Sequence, residues 1–328
     1  MINMLPKMLF LNIGWMKWYG GPRADDRTRG NFKWLKGKDH GHECYNFVAK
    51  GGFCRGHHPG SSRININALG AEHKAEKVDG ILVVWFSKDP RNKKAVIIGW
   101  HPNATVYREW QTIPGEDGFT LYGEHVSFKT AAKGDGCVLL TESQRQFPIP
   151  NHSQMAGGYG QSAIWYGGND NFRNCVWEFI SEHQKIKSRN QSGVGHNSDT
   201  EQRLLIEKIA IEAAFQYYSS TAGGSRTVVS RELECLGWDL EAKGSMDTLL
   251  VEVKGSAQLT VSVELTPNKY TQMLMRQSTW TLFVVTGCLS SSPKHHEFRY
   301  MHDLDQWESA EGIVLSVKEK VGAIITAA

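Results

Sequence analysis

Residues 185–199, KIKSRNQSGVGHNSD, constrain this chain more than any other stretch. They are polar, carry two glycines and show no apolar periodicity, so they read as a linker. The linker divides 328 residues into regions 1–184 and 200–328, each long enough for a core of its own. The two regions follow different patterns.

Before the linker, apolar residues come in short runs between glycine-rich turns: MLFLNIGW, GILVVWF, KAVIIGWH and CVLLTE. The β-branched runs Gly80 to Phe86 and Ala95 to Trp100 flank the polar stretch Ser87 to Lys94, which predicts a hairpin. Ala68 to Lys77 reads as a short helix. The expectation is a mainly-β barrel with small helices. After the linker, residues 199–218 place Leu204, Leu205, Ile209, Ala213 and Tyr217 at helical spacing, with Ser198 or Asp199 as cap. TVVSRE, GWDLEAKG, TLLVEVKGS and VSVEL read as strands. Thr266-Pro267 opens a second helix, and WTLFVVT is a buried strand. Helix, strands, helix, strand is the order of an α/β core.

No apolar run approaches the roughly 18 residues of a membrane span, so no membrane partner is expected. The N-terminus, MINMLPKMLFLNIGW, runs into Trp and Gly without a small-residue cleavage site and reads as a first strand, not a signal peptide. Six scattered cysteines without a CxxC pair fit reduced thiols in a cytoplasm. The net charge of +3 hides an asymmetry: residues 1–190 hold 25 Lys and Arg against 17 Asp and Glu, while residues 191–328 hold 12 against 17. A basic half beside an acidic one hints at nucleic acid on the basic side.

In a strand, residues two apart share a face. Glu252 and Lys254 therefore project together from the end of TLLVEVK. Asp239 lies on the preceding strand, joined through a turn near Lys243-Gly244-Ser245, and a hairpin brings it beside Glu252. Two carboxylates at one point make a hard oxygen site suited to Mg²⁺, where Mn²⁺ can substitute. Lys254 adds a cation for a scissile phosphate, completing the needs of phosphodiester hydrolysis. Paired charges also alternate on solvated strand faces, but this strand is otherwise apolar. Asp247 competes as a second acid, though its place in the turn makes it the poorer partner.

The first region interleaves aromatics with small polar residues. Trp15, Trp18 and Trp100, with Asn103, Gln161 and Ser162, suit a pocket that stacks on a planar base and reads its edge. Trp85, Trp110 and Trp177 read as core. His40, His42, Cys44, Cys54, His57 and His58 hold zinc-type donors, but their spacing fits no familiar finger and zinc is not expected there. His196, His295 and His296 fall in linker or loop contexts.

GWDLEAKG, LLVEVKG and VELTPNKY, in that order, resemble the PD-(D/E)XK nuclease domains related to the C-terminal domain of the plant protein NO VEIN. The resemblance covers residues 200–288. It implies that Asp239 and Glu252 bind metal, that Lys254 serves the water or phosphate, and that Glu212 on the preceding helix completes the acidic site, with Glu207 as the alternative. Lys269 stands where that family usually carries an acid, a departure expected to touch only a peripheral role. IGW, GHE.NF, the VDG-LVVW strand, GW..NATVYR and a late G.GQS resemble a module fused to nucleases of several kinds, itself similar to the EVE and YTH domains of the PUA-like group. That module implies a reader of modified or flipped bases over about residues 9–170.

Reader and cutter together imply a modification-dependent restriction endonuclease for phage defence in the prokaryotic cytoplasm. It would act on double-stranded DNA carrying 5-methyl-, 5-hydroxymethyl- or glucosylated cytosine. One metal site per chain implies a homodimer, or a transient dimer on DNA, for cutting both strands. The alternatives are a modified-nucleic-acid binding module with an inert nuclease fold and an RNA-directed enzyme.

Overall fold

The structure, a computed structural model, describes residues 5–30, 35, 37–60, 63–190 and 198–318. The chain forms two compact units, Met1–Thr200 and Glu201–Ala328. The first holds strands β1 (Met8–Asn12), β2 (Ala49–Lys50), β3 (Phe53–Gly56), β4 (Lys77–Lys88), β5 (Ala95–Thr112), β6 (Thr120–Leu121), β7 (Glu124–His125), β8 (Ser127–Lys133), β9 (Val138–Leu139) and β10 (Ile164–Trp165), followed by helix α1 (Asp170–Asn190).

Strands β4 and β5 form the expected hairpin, paired from Lys88 and Ala95 at the turn. Asp89 fixes that turn by accepting from the Arg91 backbone N–H at 2.9 Å and from its guanidinium at 2.7 Å. Around this pair the sheet runs β10-β1-β4-β5-β8-β3-β2, with β9 beside β5 and β1 parallel to β4. Among the described strands this path is open, so the closed barrel read from the sequence is not formed. The expected helix at 68–77 is one 3-10 turn, Ile66–Leu69. Gly70, at φ 93°, ends it in the left-handed region, and Lys77 already starts β4.

Helix α1 starts where the Asn169 side chain accepts from the Phe172 N–H at 2.9 Å. It buries Phe172, Val176 and Ile180, spaced four apart. The helix continues to Asn190 because Lys185, Lys187 and Arg189 are adequate helix formers. The stretch read as a linker therefore begins in helix. Residues 191–197, with His196, lie outside the described residues.

The second unit holds α2 (Ser198–Ser219), β11 (Thr227–Ser230), β12 (Leu240–Lys243), β13 (Thr248–Gly255), α3 (Pro267–Met275), β14 (Trp280–Thr286), β15 (Lys294–Met301) and β16 (Gln306–Ser309). The strands lie in chain order, antiparallel except for β13 and β14. A parallel pair needs a crossover, and α3 lies on it. VSVEL is not a strand: Val261, Val263 and Leu265 pack against the α3-side core without joining a ladder. In the other direction, the charged run KHHEFRYM forms β15. His295 stacks there on Phe283 at 5.2 Å and His296 also lies on the strand, so neither sits in a loop.

Apart from Glu252 and Lys254, strand β13 is apolar on both sides because both faces of the sheet are covered there. Leu249, Val251 and Val253 meet Ala210, Ala214 and Tyr218 of α2. Leu250 faces the other core, with Met273 of α3, Leu282 and Val284. The buried stripe of α2 lies one step from the expected one, leaving Leu205 49% exposed. Among the described residues, no helix is long and apolar enough to cross a membrane.

Candidate active site

The β12–β13 hairpin pairs Leu240 with Val251 and carries on by one residue. Asp239 donates its N–H to the Val251 carbonyl at 2.8 Å, and its Oδ2 accepts from the Val253 N–H at 2.8 Å. This holds the Asp239 carboxylate beside Glu252. Glu252 and Lys254 occupy the α3 face of β13, opposite Leu282 and Val284. The Lys254 ammonium lies 3.2 Å from Glu252 Oε1.

A fourth side chain completes the cluster. Lys269, in the first turn of α3, places its ammonium 2.6 Å from Glu252 Oε1 and 3.1 Å from Asp239 Oδ1. A cation at a helix N-terminus is unfavourable by itself, and the two carboxylates offset that. Asn268 anchors the same turn by donating to the Cys235 carbonyl at 3.1 Å. The departure at Lys269 is thus central, not peripheral. Its long side chain reaches a pair of acids 30 and 17 positions away, which no local spacing reveals.

Glu252 is fully buried and, among the described residues, its Oε2 has no hydrogen-bond partner. Burial raises its carboxyl to about 7, with Asp239 adding to the rise and Lys269 and Lys254 opposing it. For Lys269, burial pulls downward, but Asp239 and Glu252 lift it above the ordinary lysine range. Two carboxylate oxygens converging on one cation, with a third oxygen buried and unpartnered, fit a hard divalent ion such as Mg²⁺.

The helical acids separate clearly. Glu212 is two residues from both Ala210 and Ala214, hence on the outer face of α2, where it pairs with Lys208 at 3.8 Å and is 60% exposed. The structure does not bring it to the cluster. Glu207 flanks the buried stripe instead, next to Ile206, which packs on Gly255 at the end of β13. Glu232 lies within electrostatic reach of both Asp239 and Glu207. Its carboxyl is raised by desolvation, then by the charges of Asp239 and Glu207, while the Ser230 hydroxyl, at 3.1 Å, opposes the rise. Asp247 is held by Arg226 at 2.6 Å, at the turn end of the hairpin.

Residues 206–301 match the family model described as Protein NO VEIN, C-terminal. The matched region runs from within α2 to the end of β15 and contains Asp239, Glu252, Lys254, Lys269 and both helical glutamates. The match is consistent with a nuclease-like C-terminal domain. No curated protein and no solved structure matches the chain.

In the first unit the expected base pocket does not assemble. Trp15 and Trp100 are core residues, 4% and 0% exposed. Arg145 covers the Trp15 ring at 4.9 Å, and Phe179 and His183 pack edge-on to Trp100. Trp18 is 40% exposed under Lys17 and Arg23. Asn103 is exposed at φ 48°, and Gln161 and Ser162 are exposed near β10. Several motif residues have structural work: Glu43 accepts from the Gly14 N–H at 3.3 Å, and Asn46 clasps the His57 backbone at 2.8 and 2.9 Å.

A small depression of about 210 Å³ instead opens among Lys38, His40, His42, His57, Tyr122 and Ser127. Its Tyr122 hydroxyl accepts from the His40 N–H at 3.0 Å. Burial keeps His57 neutral, down to about 3, and the His57 Nδ1 lies 2.8 Å from the Ser127 carbonyl.

Proposed function

We propose that this chain is a modification-dependent endonuclease, in which the second unit hydrolyses DNA phosphodiester bonds and the first unit reads a modified cytosine. The observation that carries the reading is the convergence of Asp239, Glu252 and Lys254 beside β13, a strand that is otherwise apolar. Asp239 and Glu252 would hold Mg²⁺, which supplies charge neutralisation at the phosphate and an acidified water when bound. Lys254, paired with Glu252 Oε1, donates to a non-bridging phosphate oxygen and balances the charge that builds there. Glu207 and Glu232 add acidic charge at the same end, in the role the sequence assigned to Glu212.

Support for the reader lies in the excess of basic residues in the first half and in a depression that joins a tyrosine ring, neutral imidazoles and a serine. That combination suits one planar base. Digestion of a plasmid in unmodified, 5-methylcytosine and 5-hydroxymethylcytosine forms with Mg²⁺ tests both parts. Cutting confined to one modified form is expected; equal cutting of all forms removes the reader.

A second reading is favoured by Lys269, whose ammonium already neutralises both carboxylates. In that reading the nuclease fold is inert and the chain only binds modified nucleic acid, DNA or RNA. Binding with no Mg²⁺-dependent cleavage of any form supports it.

A further inference from the structure

We propose that Cys54, His101 and Cys137 form a zinc site in the first unit, separate from the carboxylate cluster of the second. Cys54 lies on β3, His101 on β5, and Cys137 just beyond the turn Gly134–Gly136 that leaves β8. One donor atom from each lies within 4.8 Å of the others. With Zn–S distances of about 2.3 Å, tetrahedral donors sit about 3.8 Å apart. A shift of roughly 1 Å, within reach of side-chain rotation, closes the set around one ion.

The second observation is the state of His101. The residue is 0% exposed, yet among the described residues neither ring nitrogen has a hydrogen-bond partner of ordinary geometry; burial lowers its basicity and the nearby Asn46 main chain opposes this. Phe47 and Trp85 pack edge-on to the ring at 5.1 and 5.3 Å and offer no acceptor. A buried polar atom left unmade costs about 1–3 kcal/mol, and a metal bond removes that cost at one nitrogen.

The thiols fit the same ion. The Cys54 and Cys137 sulfurs lie within 4.8 Å of each other, the Cys137 thiol donates to the Lys133 carbonyl at 3.3 Å, and all six cysteines of the chain are free of disulfides. Two sulfurs and an imidazole are donors that select zinc over magnesium. Binding releases the two thiol protons to solvent as the sulfurs become thiolates, with no change of oxidation state. A fourth position remains for water. The ion would pin β3, β5 and the segment after β8 to one another. Of the His/Cys run in the sequence only Cys54 takes part, because its partners lie 47 and 83 residues downstream.

The test is metal analysis of the full chain after dialysis against metal-free buffer, with a Glu252→Ala protein alongside so that the carboxylate cluster contributes nothing. About one zinc per chain is expected in both. Cys137→Ser should weaken zinc retention by more than about tenfold. Should that variant not fold, alkylation of the wild type decides instead: zinc should protect Cys54 and Cys137 and leave Cys175 and Cys235 unchanged. Zinc-independent alkylation of Cys54 and Cys137, or a Cys54–Cys137 disulfide in the reduced-buffer preparation, overturns the site.

Discussion

The two units differ in the titratable groups they bury. The second buries charges and pairs them: Glu252, at 0% exposure, has two ammonium groups within 3.2 Å. The first also buries charged side chains, among them Asp89 paired with Arg91 and Arg145 donating to the Met16 carbonyl, but it adds imidazoles that burial keeps uncharged, with His57 and His101 near 3 and His58 near 4. A buried charge without a partner is far more costly than a buried neutral group. Paired charges can respond to an incoming metal or phosphate, whereas neutral imidazoles hold shape and accept ligands without first losing a proton.

This contrast breaks most sharply at Glu252. Replacing it with alanine should lower cleavage on the order of 10³-fold while DNA binding, measured by gel shift, persists. A loss of binding equal to the loss of cutting would place Glu252 in the scaffold. Next in size is the core of the first unit. Trp100→Ala should cost about 3–5 kcal/mol in chemical denaturation, whereas Trp18→Ala should stay within about 0.5 kcal/mol. Equal effects would mean Trp18 is packed like Trp100.

The smallest effect is a pH dependence. Burial raises Glu252 from its ordinary 4.5 to about 7, so the folded chain holds a proton that the unfolded chain has lost. Stability of the metal-free protein should therefore fall as pH rises from 4.5 to about 7. Mg²⁺ binding, which needs the ionised carboxylate, should strengthen across the same range. In Lys269→Ala the competing ammonium is gone, so at a pH high enough to ionise Glu252 the Mg²⁺-induced gain in Tm should exceed that of the wild type. An unchanged gain would mean that Lys269 does not compete for the carboxylates.

What the sequence shows and hides follows from distance along the chain. Glu252 and Lys254 are two apart on a strand, and the hairpin to Asp239 spans one turn, so local geometry suffices to bring them together. The β4–β5 hairpin is legible for the same reason. Lys269 is hidden because a crossover separates it from the strand, and Glu207 because α2 settles one step round from the expected stripe. Strand β15 is masked by its charges: Phe298 is its one fully buried residue, so alternation is weak. The base pocket fails for a related reason, since a tryptophan in a strand gives no sign of which way its ring will face.

Gly255 closes β13 against α2, and a methyl group there would stand 2.7 Å from both the side chain and the carbonyl of Ile206. The last letter of EVKG is therefore a spacer. It sets the gap through which the helix passes and so the reach of Glu207. A side chain at this one position would push α2 away from β13 while every acid and lysine of the cluster kept its identity, a silent lesion to anyone scanning only for those residues.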